Sequence, residues 1–277
     1  MKFLLFGKDG QVGRALQRGL PALGHVVALG RTEADLEMPD GLVAVIEREH
    51  PDVIVNAAAY TAVDAAEEDK EAAVVINAKA VAGIGRAAKA NGALVVHYST
   101  DYVFEGQASG YLAESEPTSP ISVYGASKLA GETLLRDSGA DHLIFRSSWV
   151  YAPWGKNFAL TVLRLAKERD TLDVVADEVG APTPADLIGD VTVRAIPLAL
   201  AGRRKLVGLY HLAPAGETTW HRYAQLLVAE AITAGVLLSP SGKSQRTWVA
   251  TLGQQPVNLC TCPASASFSS VVVAAES

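Results

Sequence analysis

The 277-residue chain reads as an α/β protein: a doubly wound parallel sheet followed by a smaller α/β lobe. Three observations predict this. Over the first 150 residues, short apolar runs alternate with longer segments of helical spacing. The runs are continuous rather than alternating, as strands covered by helices on both faces require. A glycine-rich turn, Gly7 to Gly13, joins the first apolar run to the first helical segment.

Strands are predicted at 2–6, 25–29, 52–56, 93–99 and 142–146, and helices at 11–20, 41–49, 72–90 and 122–136. Residues 1–147 therefore form a first domain. From 148 to 239 the rhythm loosens into a Gly/Pro-punctuated loop at 151–156 and a helix at 157–169. A strand at 172–176, a helix at 185–200 and a strand at 209–212 follow. A last helix at 219–234 is capped by Thr218 or Thr219. This second region reads as a small lobe with elements returning to the main sheet. Residues 240–277 differ in kind: Lys243, Arg246 and Glu276 are their only charges, and both cysteines, Cys260 and Cys262, lie there. No amphipathic helix fits them, although 271–275 is an apolar run that a strand would accept. The segment reads as poorly ordered.

Hydrophobic residues at 49% and charged residues at 19% exclude intrinsic disorder. A net charge of −6 with no basic cluster argues against nucleic-acid binding. The opening apolar run meets Lys8 and Asp9 too soon for a signal peptide or a membrane span. Two cysteines in a C-x-C pair make neither a disulfide framework nor a zinc site. A protein of the reducing cytoplasm is expected.

Gly7, Gly10 and Gly13 read G-x-x-G-x-x-G between strand and helix. The first permits a tight turn, the second a close backbone approach to a pyrophosphate, and the third tight helix–sheet packing. Placed after the first strand, the motif predicts dinucleotide binding on a Rossmann-like sheet. Its spacing differs from the G-x-G-x-x-G of typical dehydrogenases. At the end of the second strand a carboxylate would favour a free adenosine ribose, but Arg31 stands there, suited to a 2′-phosphate. NADPH is therefore preferred, with NADH left open, as is a plain surface role for Arg31. Asp35 and Leu36 are placed beside the adenine, and the small residues around Ala59 beside the rest of the cofactor.

Tyr124 and Lys128 form Y-x-x-x-K, which puts both polar heads on one helical face. In a chain with eight tyrosines the spacing alone proves little. Its place, in the helix before the fifth strand of a glycine-motif sheet, carries more weight. A neighbouring ammonium is expected to lower the phenol pKa, so that Tyr124 donates a proton to a developing alkoxide. Thr100, at the end of the fourth strand, is suited to polarise a carbonyl.

Gly7–Gly13, Ser99-Thr100-Asp101-Tyr102-Val103-Phe104 and Tyr124–Lys128 together resemble the extended short-chain dehydrogenase/reductase superfamily. Longer phrases at 5–13, 51–64, 97–104, 145–151 and 179–183 are similar to its dTDP-4-dehydrorhamnose reductase family, up to about residue 239. That resemblance implies hydride transfer from NADPH or NADH to C4 of dTDP-4-dehydro-L-rhamnose, with Tyr124 protonating O4. It implies Gly10, Gln11 and Val12 at the pyrophosphate. Ala59, Tyr60, Thr61 and Tyr102 would lie along the cofactor, and Lys128 on its ribose. Thr100 and Asp101 would meet the sugar, with Trp149 packed against it; packing within the lobe is the alternative for Trp149. Asn157 and Phe158 would open a helix below the nucleotide. The family also implies a homodimer with magnesium held by glutamates, but Ala15 and Asp186 stand where these are expected, so no metal ligand is assigned.

The segment 240–277 departs from the family, whose usual substrate-closing phrase is replaced by a divergent or frameshifted stretch. The expectation is a folded cofactor lobe with limited turnover. Other readings are a related sugar-nucleotide epimerase or dehydratase, or a cofactor-binding regulatory or inactive homologue. A dehydratase would carry Glu after Asp101, where Tyr102 stands.

Overall fold

The computed structural model describes residues 1–106, 110–202 and 206–236, with the backbone of 247–251 and 260–261. Its main sheet has six parallel strands: β1 (Lys2–Phe6), β2 (His25–Leu29), β3 (Val53–Asn56), β4 (Leu94–Thr100), β5 (His142–Ser147) and β6 (Gly208–His211). Their order is β6-β5-β4-β3-β1-β2. The helices are α1 (Gln11–Gly19), α2 (Pro39–Glu49), α3 (Val63–Ala66), α4 (Lys70–Val74), α5 (Ala80–Asn91), α6 (Val123–Asp137), α7 (Phe158–Glu168), α8 (Ala185–Ala201) and α9 (Trp220–Thr233).

Successive strand residues point to opposite faces, and both faces are covered. Leu4, Phe6, Ile54, Val95 and Ile144 pack against α2, α5 and Leu135 of α6. Phe3, Leu5, Val55, Val96 and Phe145 pack against α1 and α8 on the other side. The fold is thus the doubly wound Rossmann-like sandwich. Strand order reverses between β1 and β3, which opens a crevice at their C-terminal ends.

Several boundaries differ from the sequence expectation for local reasons. Strand β3 begins at Val53, and the Asp52 carboxylate just before it accepts a hydrogen bond from the Lys2 backbone N–H at 2.7 Å. Helix α2 starts at Pro39, whose fixed φ suits a first helical turn. The single helix expected over 72–90 is broken into α4, a π-turn at Val75–Lys79 and α5. The π-turn carries Asn77, whose amide accepts from Tyr60 N–H at 2.9 Å and donates to Tyr60 C=O at 3.1 Å and Ser127 Oγ at 3.0 Å. Gly131 of α6 presses against the same turn; a Cβ there would lie 2.1 Å from Asn77 O.

Beyond residue 148, α8 and β6 join the main sheet, while α7, α9 and the strand Thr171–Val175 build a separate core around Val162, Leu172, Val174 and Val228. Two short pairs tie this part together: Val150–Tyr151 with Thr183–Pro184, and Val179–Gly180 with Thr218–Thr219. Inside the segment read as irregular, Thr247–Thr251 pairs with Thr171–Val175, and Cys260–Thr261 pairs with Tyr111–Leu112. The apolar run at 271–275 lies outside the described residues. Among the described residues no helix is long and apolar enough to cross a membrane.

Candidate active site

A cavity of about 530 Å³ lies where the strand order reverses. Its floor is the glycine turn. Gly7 has φ +83°, and a Cβ on it would stand 2.7 Å from Ala58 N; a Cβ on Gly13 would stand 2.0 Å from Gly7 O. These two glycines are therefore required by the turn's own packing. Gly10 is the N-cap of α1 and offers no side-chain cap, so the first-turn N–H groups are left for a ligand. Gly7, Gly10, Gln11 and Val12 line the cavity, with Gly13 beneath them. The Gln11 side chain is held from the second half of the chain: its Oε1 accepts from Asn157 Nδ2 at 2.8 Å, and its Nε2 donates to Val150 C=O at 3.3 Å. Asn157 also caps α7 by accepting from Leu160 N–H at 2.9 Å.

Arg31, Asp35 and Leu36 line the outer end. The Arg31 side chain is 71% exposed and already paired with Asp35 at 3.3 Å and with Glu37. Its cation is thus shared between two carboxylates at the rim. Ala59 and Thr61 line the wall, as do Ala57 and Ala58. Tyr60 does not: its backbone is clamped by Asn77 and its ring packs with Ala66, Ala73 and Tyr124.

The inner end is chemical. Ser122 caps α6 by accepting from Gly125 N–H at 3.1 Å, setting Tyr124 in the first turn and Lys128 one turn later. Both line the cavity. Lys128 Nζ donates to Tyr98 C=O at 2.6 Å. Burial draws the Lys128 ammonium down to about 8, against the opposing charge of Glu132. Burial pushes the Tyr124 phenol up to about 12; a hydrogen bond with the Thr100 side chain opposes this and the Asp101 charge adds to it. The expected lowering of Tyr124 by Lys128 is therefore corrected. Desolvation is the largest influence on the phenol, and the Lys128 ammonium is turned to a backbone carbonyl. A phenol that keeps its proton is the form a reduction needs.

Thr100 Oγ1 donates to Asp101 Oδ1 at 2.9 Å and accepts from Tyr102 N–H at 3.2 Å. Burial raises the Asp101 carboxyl to about 7, its hydrogen bonds with Thr100 and the backbone oppose the rise, and Glu178 adds to it. The Tyr102 ring meets Tyr124 edge-on at 5.5 Å between centroids. Thr100, Asp101 and Tyr102 cluster behind Tyr124 without lining the cavity themselves. Trp149 is brought elsewhere: it stacks on Trp220 at 3.5 Å, and a Cβ on Gly180 would lie 2.4 Å from its ring. That is the lobe-packing arrangement left open beside sugar contact. Sequence reasoning passed over Ser99, a buried hydroxyl with no partner among the described residues, and Lys156; both line the cavity. Ser99 sits inside the strand-end phrase and Lys156 follows Gly155, so both positions were signalled by their neighbours.

Ala15 packs against Gly189, and Asp186 is paired with Arg18. An alanine and a carboxylate already neutralised by arginine do not fit a magnesium site.

A parallel sheet whose switch-point cavity runs from an uncapped glycine turn to a Thr/Tyr/Lys cluster defines a short-chain NAD(P)-dependent oxidoreductase of sugar nucleotides. Residues 1–257 match the family model of the RmlD substrate binding domain, and the chain belongs to that family, the dTDP-4-dehydrorhamnose reductases. The match runs past residue 239, where the sequence phrases end. The dTDP-4-dehydrorhamnose reductase of Salmonella typhimurium is 52% identical over 243 residues, which is 86% of this chain and 81% of that one. The structure of a dTDP-4-dehydrorhamnose reductase from Clostridium acetobutylicum is similar with a TM-score of 0.82 at 29% identity, covering 93% of this chain and 87% of that one. That of the Bacillus anthracis enzyme in complex with NADP is similar with a TM-score of 0.80, also at 29% identity and with the same coverage.

Proposed function

We propose that the chain reduces the C4 ketone of dTDP-4-dehydro-L-rhamnose to dTDP-L-rhamnose, with NADPH as the preferred reductant and NADH as an alternative. The observation that carries this is the buried Tyr124 phenol, with Lys128 one turn on, at the inner end of a cavity whose floor is a phosphate cradle. The site fits a nicotinamide dinucleotide: the α1 N-terminus lacks a side-chain cap, Gly10 leaves the backbone open, and the alanines at 57–59 keep the wall thin. When bound, the nicotinamide supplies the hydride that reduces C4.

The chain's own groups do the rest. Gly10, Gln11 and Val12 hold the pyrophosphate through backbone N–H groups. Lys128 holds the ribose. Tyr124 delivers the proton to O4, and Thr100 and Asp101, just behind it, are the groups assigned to orient the ketone and meet the sugar once substrate enters. Relatives at about half identity carry the same reductase name, which supports the choice of sugar. The reducing cytoplasm, where such a cofactor is kept reduced, is the proposed location, and a homodimer the proposed assembly.

Tyr124→Phe tests the assignment. The variant should bind NADPH normally while kcat falls about 10²–10⁴-fold, the usual worth of a positioned proton donor. A near-normal kcat removes Tyr124 from the mechanism.

A further inference from the structure

We propose that Lys156 is a further cofactor-binding residue, the cation that the second half of the chain sets over the pyrophosphate of the bound dinucleotide. This rests on the nicotinamide-dinucleotide reading of the cavity and deepens it. Lys156 lines the same cavity as Gly10, Gln11 and Val12. It stands far along the chain from them, in the loop between the short strand Val150–Tyr151 and α7.

That loop is fastened to the first turn of α1 at Gln11. Trp154 Nε1 donates to Gln11 C=O at 3.3 Å, and Gln11 Nε2 donates to Val150 C=O at 3.3 Å. Asn157 Nδ2 donates to Gln11 Oε1 at 2.8 Å and to Ala152 C=O at 2.8 Å. Gly155 has φ +78°, and a Cβ on it would stand 3.1 Å from Gln11 Cγ. The chain on both sides of Lys156 is thus held against the helix end whose first-turn N–H groups lack a side-chain cap. The fold sets where Lys156 sits, while its flexible four-carbon stem lets the ammonium turn toward an anion.

Charge singles out the same residue. Among the described residues three cations line the cavity, Arg31, Lys128 and Lys156, and two of them are engaged. Arg31 is shared between Asp35 and Glu37 at the outer end, and Lys128 Nζ donates to Tyr98 C=O at the inner end. Lys156 makes no hydrogen bond or ion pair with any described residue. The glycine turn brings backbone N–H groups to the cavity, but also the carboxylate of Asp9. A pyrophosphate carries two negative charges, and a helix end offsets only part of them. Lys156 supplies the missing cation at that turn. The fastening at Gln11 places it at the phosphates, between the 2′-phosphate end at Arg31 and the ribose end at Lys128.

Calorimetric titration of the full chain with NADH, NADPH and dTDP, comparing the unsubstituted protein with Lys156→Met and Lys156→Arg, tests the assignment. Both cofactors carry the pyrophosphate, so Lys156→Met should raise their two dissociation constants by the same factor, about three- to tenfold. Lys156→Arg should stay near the unsubstituted values. The loss in Lys156→Met should shrink in about 0.5 M salt, which screens an exposed charge. All three proteins should bind dTDP, which carries the diphosphate of the sugar nucleotide, equally well. Unchanged cofactor binding in Lys156→Met overturns the proposal. A loss confined to NADPH overturns it and moves Lys156 to the 2′-phosphate, and a loss confined to dTDP overturns it and moves Lys156 to the sugar nucleotide. Equal losses in Lys156→Met and Lys156→Arg also overturn it and make the residue a structural part of its loop. Binding of neither cofactor by the unsubstituted chain overturns the dinucleotide reading, and the proposal with it.

Discussion

Tyr124 and Lys128 stand one helical turn apart, and burial moves them in opposite directions, the phenol up to about 12 and the ammonium down to about 8. Their spacing was legible in the sequence because a helix fixes it. The sign of the tyrosine shift was not, because it depends on how much water the folded site excludes. Arg31 makes a similar point. Its position at the end of β2 was legible, but its pairing with Asp35 and Glu37 depends on where the following loop turns. Arg31→Ala should raise the dissociation constant for NADPH more than that for NADH, because only the phosphorylated cofactor loses a charged partner. The pairing shrinks the difference to several-fold, since the cation is already shared. Fluorescence titration of both cofactors checks this, and equal changes make Arg31 a generic surface residue.

Helix α6 is held to β5 by a buried ion pair. Arg146, 4% exposed, donates from Nε and Nη2 to the two carboxylate oxygens of Glu132, 1% exposed, at 2.9 and 2.7 Å. Glu132 lies one turn beyond Lys128, so the pair fixes the catalytic helix in register with the strand. Glu132→Gln leaves Arg146 charged and buried without its partner, which should cost about 3–5 kcal/mol. Urea unfolding at neutral pH measures it, and a loss below about 1 kcal/mol would make the pair incidental. Elements whose cause is local were legible: β1 and β2 end where their apolar runs end, and α6 where its helical spacing ends. The π-turn at Val75–Lys79 was not, because the partners that need it, Tyr60 and Gly131, are distant in sequence. The stacking of Trp149 was not legible for the same reason: its partner, Trp220, lies on the last described helix.

Across the whole molecule, the reversal between β1 and β3 places the glycine turn, the alanine wall and α6 around one cavity. That much follows from strand order, of which the alternation of runs and helices fixes the parallel, doubly wound character but not the sequence of neighbours. The reach of residues 240–277 does not, although Thr247–Thr251 extends the lobe strand Thr171–Val175. Replacing 240–277 with a family-type segment should raise kcat/KM for the sugar more than it tightens NADPH, because enclosure of the sugar acts on orientation and water exclusion. An equal gain in both would mean that the segment acts on folding rather than on the substrate.

The most direct measurement follows NADPH oxidation and product together, with dTDP-4-dehydro-L-rhamnose as substrate and with both the present chain and the exchanged one. The account predicts one NADPH consumed for each dTDP-L-rhamnose formed, slowly in the present chain and faster after exchange. Conversion of the sugar without net cofactor consumption, or no dTDP-L-rhamnose from either protein, would contradict it.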